Sequence, residues 1–513
     1  MPAESPYECR IIGSETECGG PVIALELFVP LKDRYRVFKR AIMDNQSQWY
    51  LDNGHIEIAT PECLGARENA LYETASFALF AHRLKAIPDE DREELPPLRI
   101  YKNNRPTDRR GRALTGISWG SHGNYLTYRG LEFHDLQTRL VPLLASRLPL
   151  IGNGWINIDA DWSIQFLFSQ RGDLIGEGAD GRLTAAETTG DIKTPINTRD
   201  RPYANHDRWR RYHDITENST MSEYQIWLKR GMMDLVLLMI EHPEFLKKLV
   251  PAAWNMQFVN ARNAFKFFNR DMYTPIVLQN GRRMSALDIQ EFYLDELNRF
   301  FLYEYDALTE ERRELLRFWR AVVDALRRKD HAYAEKYLDW AAVFSYLVEP
   351  AIARIGIKEL HQCDPFADTE TRLKRRTVPS TRMIDTPRGS VRIASELLYR
   401  IVEYSYVDTQ KSPYGVLLRN GRIASLFTPE QINNAMRIPP RRTRAACREE
   451  ILQILKKHLI AGAVQIRSFR WDEICFVHAK NLADSYPLQL QLPDPYRSSL
   501  TTHEKVIFGL DNF

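Results

Sequence analysis

The 513-residue chain contains 44% hydrophobic and 27% charged residues and has a formal net charge of +3. This composition is typical of a globular protein long enough for one large and one smaller domain, and so small a net charge does not indicate a nucleic-acid partner. The longest strongly apolar run, "MMDLVLLMI", contains Asp234 and is too short to cross a membrane.

Cysteine usage and the first residues indicate the compartment. The six cysteines form no C-x-x-C pair and no Cys/His cluster with zinc-finger spacing. The start, "MPAESPYECR", has acids and no apolar core, so we expect no signal peptide. We therefore predict reduced thiols in a cytoplasmic protein.

The first 170 residues are predicted to be mainly β-strand. Short runs rich in β-branched and aromatic residues, such as "RIIGSETE", "PVIALELFV", "WYLDNGHIEIAT" and "SIQFLFSQ", are separated by Gly, Asn and Pro. Helical spacing between them is clearest in "RENALYETASFALFAHRLKA".

The middle of the chain is predicted to be helical. The run "MSEYQIWLKRGMMDLVLLMIEHPEFLKKLV" has apolar residues at helical spacing. Ser285 and Asp288 have the spacing of a capping box, and Thr309 is placed to cap the next helix. This pattern predicts helices that begin at Ser285 and Thr309.

The last part of the chain is predicted to hold an insertion and a small domain. Residues 361–392 are polar, contain Pro and lack periodicity, which is typical of a mobile insertion. Strand-like and helical patterns follow, so we assign 1–410 to a large domain and 411–513 to a small C-terminal domain.

Two acids near the N-terminus are the first candidate site residues. Glu15 and Glu17 lie two residues apart in a strand-like stretch, so their side chains share one face about 6.6 Å apart. Carboxylates this close repel each other unless a cation lies between or beside them. An exposed strand end is the alternative.

A predicted hairpin supplies more ligand-type side chains. Tyr50 and Asp52 precede an Asn-Gly turn, and His55 and Glu57 follow it. Oxygen ligands of this kind suit Mg²⁺, which commonly shares its site with substrate phosphates. A solvated hairpin with incidental acids remains the alternative.

Two further stretches combine polar groups. In "WGSHGNYLTY", His122 and Asn124 share a strand face, although a lone histidine is more often structural. In "NTRDRPYANHDRWRRYH", arginines suited to phosphate and carboxylate oxygens lie beside two histidines, although a basic face is often simply solvated. No Walker A, Rossmann or G-x-S-x-G motif occurs. Acids, magnesium and arginines would suffice to activate a carboxylate with ATP.

Taken in order, these motifs resemble the Pup ligase and depupylase family, which shares a fold with glutamine synthetase and the glutamate–cysteine ligases. The resemblance covers nearly the whole chain and rests on "RIIGSETE", "YLDNGHIEIATPEC", "GSHGNY", "LFSQR", "INTRDRPYANHDRWRRYH", "IPPRRTRAACREE", "RWDEICF" and "DPYRS". It implies an α+β fold: a glutamine synthetase-like large domain, with a curved antiparallel sheet packed against helices, and a small C-terminal α/β domain.

The resemblance also implies roles for individual residues. Asp52 matches the family's catalytic aspartate, and Arg199 is expected to offset charge on a transferred phosphoryl group. Magnesium ligands are expected at Glu15, Tyr50 and Glu57, with Glu17, His122 and His213 lining the same cavity. Contacts to ATP are expected at Thr60, Trp471, Gln48 and Asn124.

Departures from the family pattern affect these expectations. The family usually has Arg at the position of Gln48, Glu at the position of Gly123 and an acid at the position of Arg201. The nucleotide site is therefore rearranged, or the modifier differs from typical Pup.

The favoured function is an ATP-dependent ligase that joins the C-terminal glutamate side chain of a small acidic Pup-like modifier to lysines of target proteins through an acyl phosphate. The alternative is a depupylase or deamidase, favoured by the spacing from Asp52 to Glu57 and by "PEC". Only 30 residues separate Glu17 from Gln48, which leaves no room for the usual depupylase loop, and "DPYRS" resembles the ligase. A third possibility is a weakly catalytic or non-catalytic homologue that binds the modifier.

The basic run "RLKRRTVPSTR" offers a second place for the modifier. Pup-like proteins are acidic and fold on binding, so this run is a candidate docking loop. A solvated loop is the favoured interpretation. Membranes and nucleic acids are not expected as partners.

Overall fold

The computed structural model describes residues 9–20, 36–37, 40–52, 55–87, 99–105, 118–158, 164–178, 180–186, 192–242, 256–354, 364–367, 382–386, 389–478 and 487–507. The strands are β1 Ile11–Glu17, β2 Arg36–Val37, β3 Arg40–Ile42, β4 Gln48–Asp52, β5 His55–Ala59, β6 Cys63–Leu64, β7 Ser121–Tyr128, β8 Trp155–Ile158, β9 Ile164–Leu167, β10 Thr184–Ala185, β11 Ile196–Asn197, β12 Trp209–Asp214, β13 Ile276–Val277, β14 Arg283–Met284, β15 Met383–Thr386, β16 Gly389–Arg392, β17 Val464–Phe469, β18 Glu473–His478 and β19 Leu488–Gln491.

Helices follow the strand-rich part of the chain and connect several of its strands. The α-helices are Gly65–Lys85, Phe133–Ser146, Leu148–Ile151, Glu223–Glu241, Ala261–Phe268, Ala286–Tyr303, Glu310–Arg327, His331–Tyr337, Asp339–Val343, Glu349–Arg354, Ile393–Tyr404, Pro413–Arg419, Pro429–Ala435, Arg444–Ile460 and Thr502–Ile507. The expected capping box of Ser285 and Asp288 and the N-cap at Thr309 are confirmed.

A ten-stranded sheet is the centre of the fold. Its strands run in the order β10-β11-β12-β7-β1-β5-β4-β3-β2, with β6 also paired to β1. Neighbours are antiparallel except for the parallel β10–β11 pair at one edge. The N-terminal strand β1 thus lies inside the sheet, between β5 and β7.

Alternation along β1 separates two faces of the sheet. Ile12, Ser14 and Thr16 are buried, whereas Glu15 and Glu17 are partly accessible. The helix Glu223–Glu241 packs beneath the sheet and is buried at every residue except Tyr224, as its apolar composition on nearly all sides requires. The run "MMDLVLLMI" is therefore part of the core, and none of the described helices is long and apolar enough to cross a membrane.

A smaller unit near the C-terminus has its own core. The helix Arg444–Ile460 packs on the antiparallel sheet β17–β18–β19 through side chains including Ile451, Leu455 and Phe476, which also contact Ile42 of β3. Tyr414 and Phe427 belong instead to the main core. The boundary at residue 410 stays a prediction.

The expected insertion 361–392 falls mostly outside the described residues. Its described end forms the hairpin β15–β16, while the basic run at 372–381 is not described. The expected strand "PVIALELFV" also lies outside the described part of the chain. The described cysteines form no disulfide: Cys9, Cys18, Cys63, Cys447 and Cys475.

Candidate active site

Five adjacent strands bring the acidic and histidine candidates onto one face of the sheet. In the order β12-β7-β1-β5-β4, the register aligns His213 with Asn124 and Glu15 with His122. It then aligns Glu17 with Glu57 and Glu57 with Tyr50. We call this set of side chains the polar row: Glu15, Glu17, Tyr50, Asp52, Glu57, His122, Asn124 and His213.

The first half of the polar row is a carboxylate between two histidines. Glu15 Oε2 lies 3.5 Å from His122 Nδ1 and 3.7 Å from His213 Nε2. Burial alone would raise the pKa of Glu15, but the hydrogen bond from His122 and the positive charge of Arg211 lower it below its ordinary value. Glu15 therefore stays ionised and can act as a cation ligand.

His213 completes this group as a neutral imidazole. Burial, together with the charge of Arg211, lowers the pKa of His213 well below its ordinary value. Neither of its ring nitrogens has a hydrogen-bond partner among the described residues. Neutral imidazole is the metal-binding form of histidine, so the group of Glu15, His122 and His213 fits a divalent cation.

The second half of the polar row is a cluster of three carboxylates. Oxygen atoms of Glu17, Asp52 and Glu57 lie within 4.8 Å of one another. Burial and the charges of Glu15 and Glu17 raise the pKa of Glu57 well above its ordinary value, although the Tyr50 hydroxyl donates to Glu57 Oε1 at 2.9 Å. A cation bound here would remove this repulsion.

Asp52 differs from its neighbours in being exposed at the end of β4. Glu17 is fixed by the backbone N–H of Gly120, which donates to Glu17 Oε2 at 2.7 Å. The Asp52 carboxylate can therefore meet a group that approaches from solvent, while Glu17 and Glu57 stay within the sheet face.

A cavity borders the first half of the polar row. Its lining includes Glu15, Thr60, Asn124 and Arg211 from the main fold and Trp471 from the C-terminal unit. The structure therefore brings together three of the four residues expected to contact a nucleotide.

Gln48, the fourth of these residues, has another environment. Its side chain is fully buried, and its Oε1 accepts a hydrogen bond from Arg40 Nη1 at 3.1 Å. The Arg40 guanidinium also lies 5.0 Å from the centre of the Tyr50 ring. Arg40 was not predicted from the sequence, although its cross-strand pairing with Tyr50 follows from the register of β3 and β4.

Two arginines act near the polar row: Arg211 contacts Glu15, and the charge of Arg199 helps to lower the pKa of His213. Arg211 Nη1 lies 4.0 Å from Glu15 Oε1 and donates to Asn124 Oδ1 at 3.2 Å. The backbone N–H of Arg199 donates to Asn197 Oδ1. The contact of Arg211 with Glu15 depends on the strand order, so the sequence indicated only a basic cluster there.

A layer of buried ion pairs supports the polar row from below. Arg230 pairs with Glu217 and lies 2.9 Å from Glu73, which also pairs with Lys102 at 2.8 Å. The Tyr125 hydroxyl of β7 donates to Glu217 at 3.0 Å. This layer holds β7, and with it His122 and Asn124, against the helix Glu223–Glu241.

The chain is similar to known proteins over most of its length. The family model described as Pup-ligase protein matches residues 12–364 and 386–475. A relative named Pup–protein ligase from Geodermatophilus obscurus is 28% identical over 98% of this chain and 100% of its own length. Another of that name, from Acidimicrobium ferrooxidans, is 27% identical over 89% of this chain and 86% of its own length.

Solved structures share the fold. A crystal structure of the complex between the prokaryotic ubiquitin-like protein Pup and its ligase PafA has a TM-score of 0.76 at 23% identity, covering 99% of this chain and 93% of that one. A structure of PafA in complex with ADP has a TM-score of 0.70 at 23% identity, covering 93% and 91%. The fold and the resemblance expected from the sequence are confirmed.

Proposed function

This chain belongs to the Pup-ligase protein family, and we propose that it is an ATP-dependent ligase that joins the C-terminal glutamate side chain of a small acidic Pup-like modifier to lysines of target proteins. The observation that carries the proposal is that Glu15 belongs both to the polar row and to the lining of the cavity. The names of the relatives and the ADP-bound neighbour agree with it.

ATP would occupy the cavity. Trp471 offers an aromatic surface and Thr60 a hydroxyl, while Glu15 and Arg211 lie where the cavity meets the polar row. Phosphates directed toward the polar row need cations, because its carboxylates would otherwise repel them. Glu15, His122 and His213 would hold one magnesium ion, and Glu17, Tyr50 and Glu57 another, offsetting charge on the phosphates.

The chemistry proceeds in two steps. The side-chain carboxylate of the modifier's C-terminal glutamate attacks the γ-phosphorus of ATP, which gives an acyl phosphate and ADP, with Arg211 and Arg199 offsetting charge on the transferred phosphoryl group. The lysine amine then attacks the acyl carbon, phosphate leaves, and an isopeptide bond forms. Asp52 takes the proton that the lysine ammonium must lose before it can attack.

The exposure of Asp52 suits this role. A lysine on a folded target reaches only a base that is open to solvent, and Asp52 lies at the exposed end of β4. The cavity is lined from the neighbouring strands, so nucleotide and target approach from different sides. A ligase that uses ATP and has reduced thiols would work in the cytoplasm.

The test is to incubate the protein with ATP, magnesium, a Pup-like protein ending in Glu and a lysine-bearing target, and to measure masses. Gain of one modifier with release of ADP is the expected result. Release of modifier from a preformed conjugate would instead establish the hydrolase. If the protein neither binds nucleotide nor turns over substrate, the remaining interpretation is a non-catalytic homologue that binds the modifier.

The variant Asp52→Asn tests the assigned base. It should bind ATP normally but ligate about 10²- to 10⁴-fold more slowly, the usual contribution of a positioned base. Asp180→Asn, an exposed aspartate outside the polar row and the cavity lining, is the matched control. Full ligation by Asp52→Asn would overturn the assignment.

A further inference from the structure

Glu62 is a buried carboxylate at the junction of the main fold and the C-terminal unit. Its Oε1 accepts hydrogen bonds from Arg444 Nε at 2.6 Å and Arg448 Nη1 at 2.9 Å, and its Oε2 accepts one from Arg448 Nη2 at 2.5 Å. The two arginines lie four residues apart in the helix Arg444–Ile460, so they project from the same side of it. One carboxylate thus binds two guanidinium groups of the other unit.

Backbone contacts strengthen this junction. The Thr443 hydroxyl donates to the Glu62 carbonyl at 3.0 Å and also caps the helix. Arg444 donates to the Leu492 carbonyl at 3.1 Å and to the Tyr203 carbonyl. The start of the helix is therefore placed relative to the main fold by Glu62.

Arg448 links Glu62 to Trp471. Its Nη1 donates to the Trp471 carbonyl at 2.8 Å, and its guanidinium lies 5.3 Å from the centre of the indole ring. Trp471 lines the cavity. One guanidinium therefore holds both the backbone and the ring of a residue on the cavity wall.

Another part of the cavity lining is fixed by nearly the same segment of chain. Thr60 lies two residues before Glu62, and its Oγ1 accepts a hydrogen bond from the Ser14 N–H at 2.9 Å. Thr60 and Trp471 line the cavity from different units. The distance between these two parts of the lining is therefore set through the segment 60–62.

We propose that Glu62 is a positioning residue for nucleotide binding, acting through Arg448 to hold Trp471 against the cavity. This inference rests on the proposed use of the cavity by ATP. Glu62 borders the cavity, but both of its carboxylate oxygens accept hydrogen bonds from Arg444 and Arg448. It therefore acts by fixing the C-terminal unit, so that the indole ring and the Thr60 side of the cavity are correctly spaced. A ring held in place loses less conformational freedom on binding, which favours affinity.

The experiment compares nucleotide affinity and steady-state kinetics of the wild type and Glu62→Gln. The glutamine keeps the shape of the side chain but removes the charge that binds both arginines. A displacement of a binding group by about 1 Å can lower the efficiency of catalysis roughly a hundredfold. We therefore expect KM for ATP to rise by about tenfold or more. KM for the modifier should stay unchanged.

The matched control is Asp173→Asn. It also removes a carboxylate charge from a two-pronged arginine contact, with Arg270 at 2.7 Å, but neither residue lines the cavity. Its KM for ATP should equal that of the wild type. If Glu62→Gln fails to fold by circular dichroism, Arg448→Lys tests the same link, because lysine keeps the charge and loses the paired N–H groups.

A double variant separates positioning from general stability. Trp471→Ala should raise KM for ATP, and adding Glu62→Gln to it should raise KM no further, because the positioned ring is already gone. Additive effects would overturn the proposal, as would unchanged ATP affinity in both Glu62→Gln and Arg448→Lys. A wild type that binds no nucleotide would contradict the proposed function instead.

Discussion

The guanidinium of Arg230 occupies the space into which a side chain at position 123 would project. A Cβ atom added to Gly123 would lie 2.6 Å from Arg230 Nη1 and 2.6 Å from Glu217 Oε1. The family pattern has Glu at this position, and here Glu217 supplies a carboxylate to the same place from another part of the chain. The glycine is thus required by the buried ion pair beneath it.

Gly123→Ala should destabilise the protein by about 1 to 3 kcal/mol, the usual cost of overpacking a close-packed interior. Denaturant unfolding measures the change. Gly130→Ala is the matched control, because nothing lies within 4 Å of a Cβ atom added there. Equal stability of the two variants would show that the Arg230–Glu217 pair moves freely to make room.

Glu15→Gln should weaken nucleotide binding in the presence of magnesium. The carboxylate faces two histidines, and its loss removes a ligand from the expected cation site. Residues that merely orient a ligand change metal affinity about 10- to 100-fold, so we expect at least a tenfold loss. Calorimetric titration with ADP, with magnesium or with chelator, measures it.

Titration in the presence of chelator shows whether the loss of ADP affinity in Glu15→Gln comes from lost magnesium binding. Without magnesium, wild type and Glu15→Gln should bind ADP equally weakly. Glu430→Gln, an exposed acid at a helix start, should bind as the wild type does. A loss of affinity in Glu15→Gln that is equally large with chelator would contradict the magnesium assignment.

The pH dependence of stability should report the Glu62 ion pairs. Burial alone would raise the pKa of Glu62, but the charges of Arg448 and Arg444 outweigh it and lower the pKa to about 2. The unfolded carboxyl titrates near 4.5. Because the folded pKa is the lower one, the stabilisation is present above about pH 4.5 and is lost as the pH falls toward 2.

The measurement is the difference in unfolding free energy between wild type and Glu62→Gln across this range. A shift from 4.5 to about 2 corresponds to roughly 3 kcal/mol. The difference should therefore shrink by about that amount between pH 5 and pH 2. A difference that stays constant with pH would mean that Glu62 is not held ionised by its arginines.

Arg40→Ala should destabilise the protein by about 1 to 3 kcal/mol. It removes the cation over the Tyr50 ring and leaves the buried Gln48 Oε1 without its donor. Arg40→Lys should lose less, because a lysine keeps the cation. Thermal and urea unfolding measure the stabilities of the wild type, Arg40→Lys and Arg40→Ala, which should decrease in that order. If Arg40→Ala is as stable as the wild type, solvent replaces both contacts.

Local spacing was sufficient to predict the individual strands of the polar row. The i, i+2 rule placed Glu15 and Glu17 on one face, and the Asn-Gly turn predicted the pairing of Asp52 with His55. The helix caps at Ser285 and Thr309 were predictable in the same way. Each of these features depends on neighbours within a few residues.

Contacts between distant strands were not predictable from spacing. Arg211 lies near Glu15 because β7 pairs with both β1 and β12. Arg40 is a different case: it was missed because no strand was predicted at 40–42, although β3 and β4 are neighbours in the chain. No motif in the sequence distinguishes Glu62, which follows Pro61, because its partners are in a helix near the C-terminus. The strand order and the packing of the two units decide these contacts.

The polar row also determines when the protein could first bind the proposed cation during synthesis. Glu15 belongs to β1 and His213 to β12, so the group of Glu15, His122 and His213 requires strands from both ends of residues 11–214. At about 5 to 20 residues per second, roughly 10 to 40 s separate the synthesis of the two ends. A nascent chain that stalls before β12 therefore lacks the group, and binding of the proposed ion would follow assembly of the sheet.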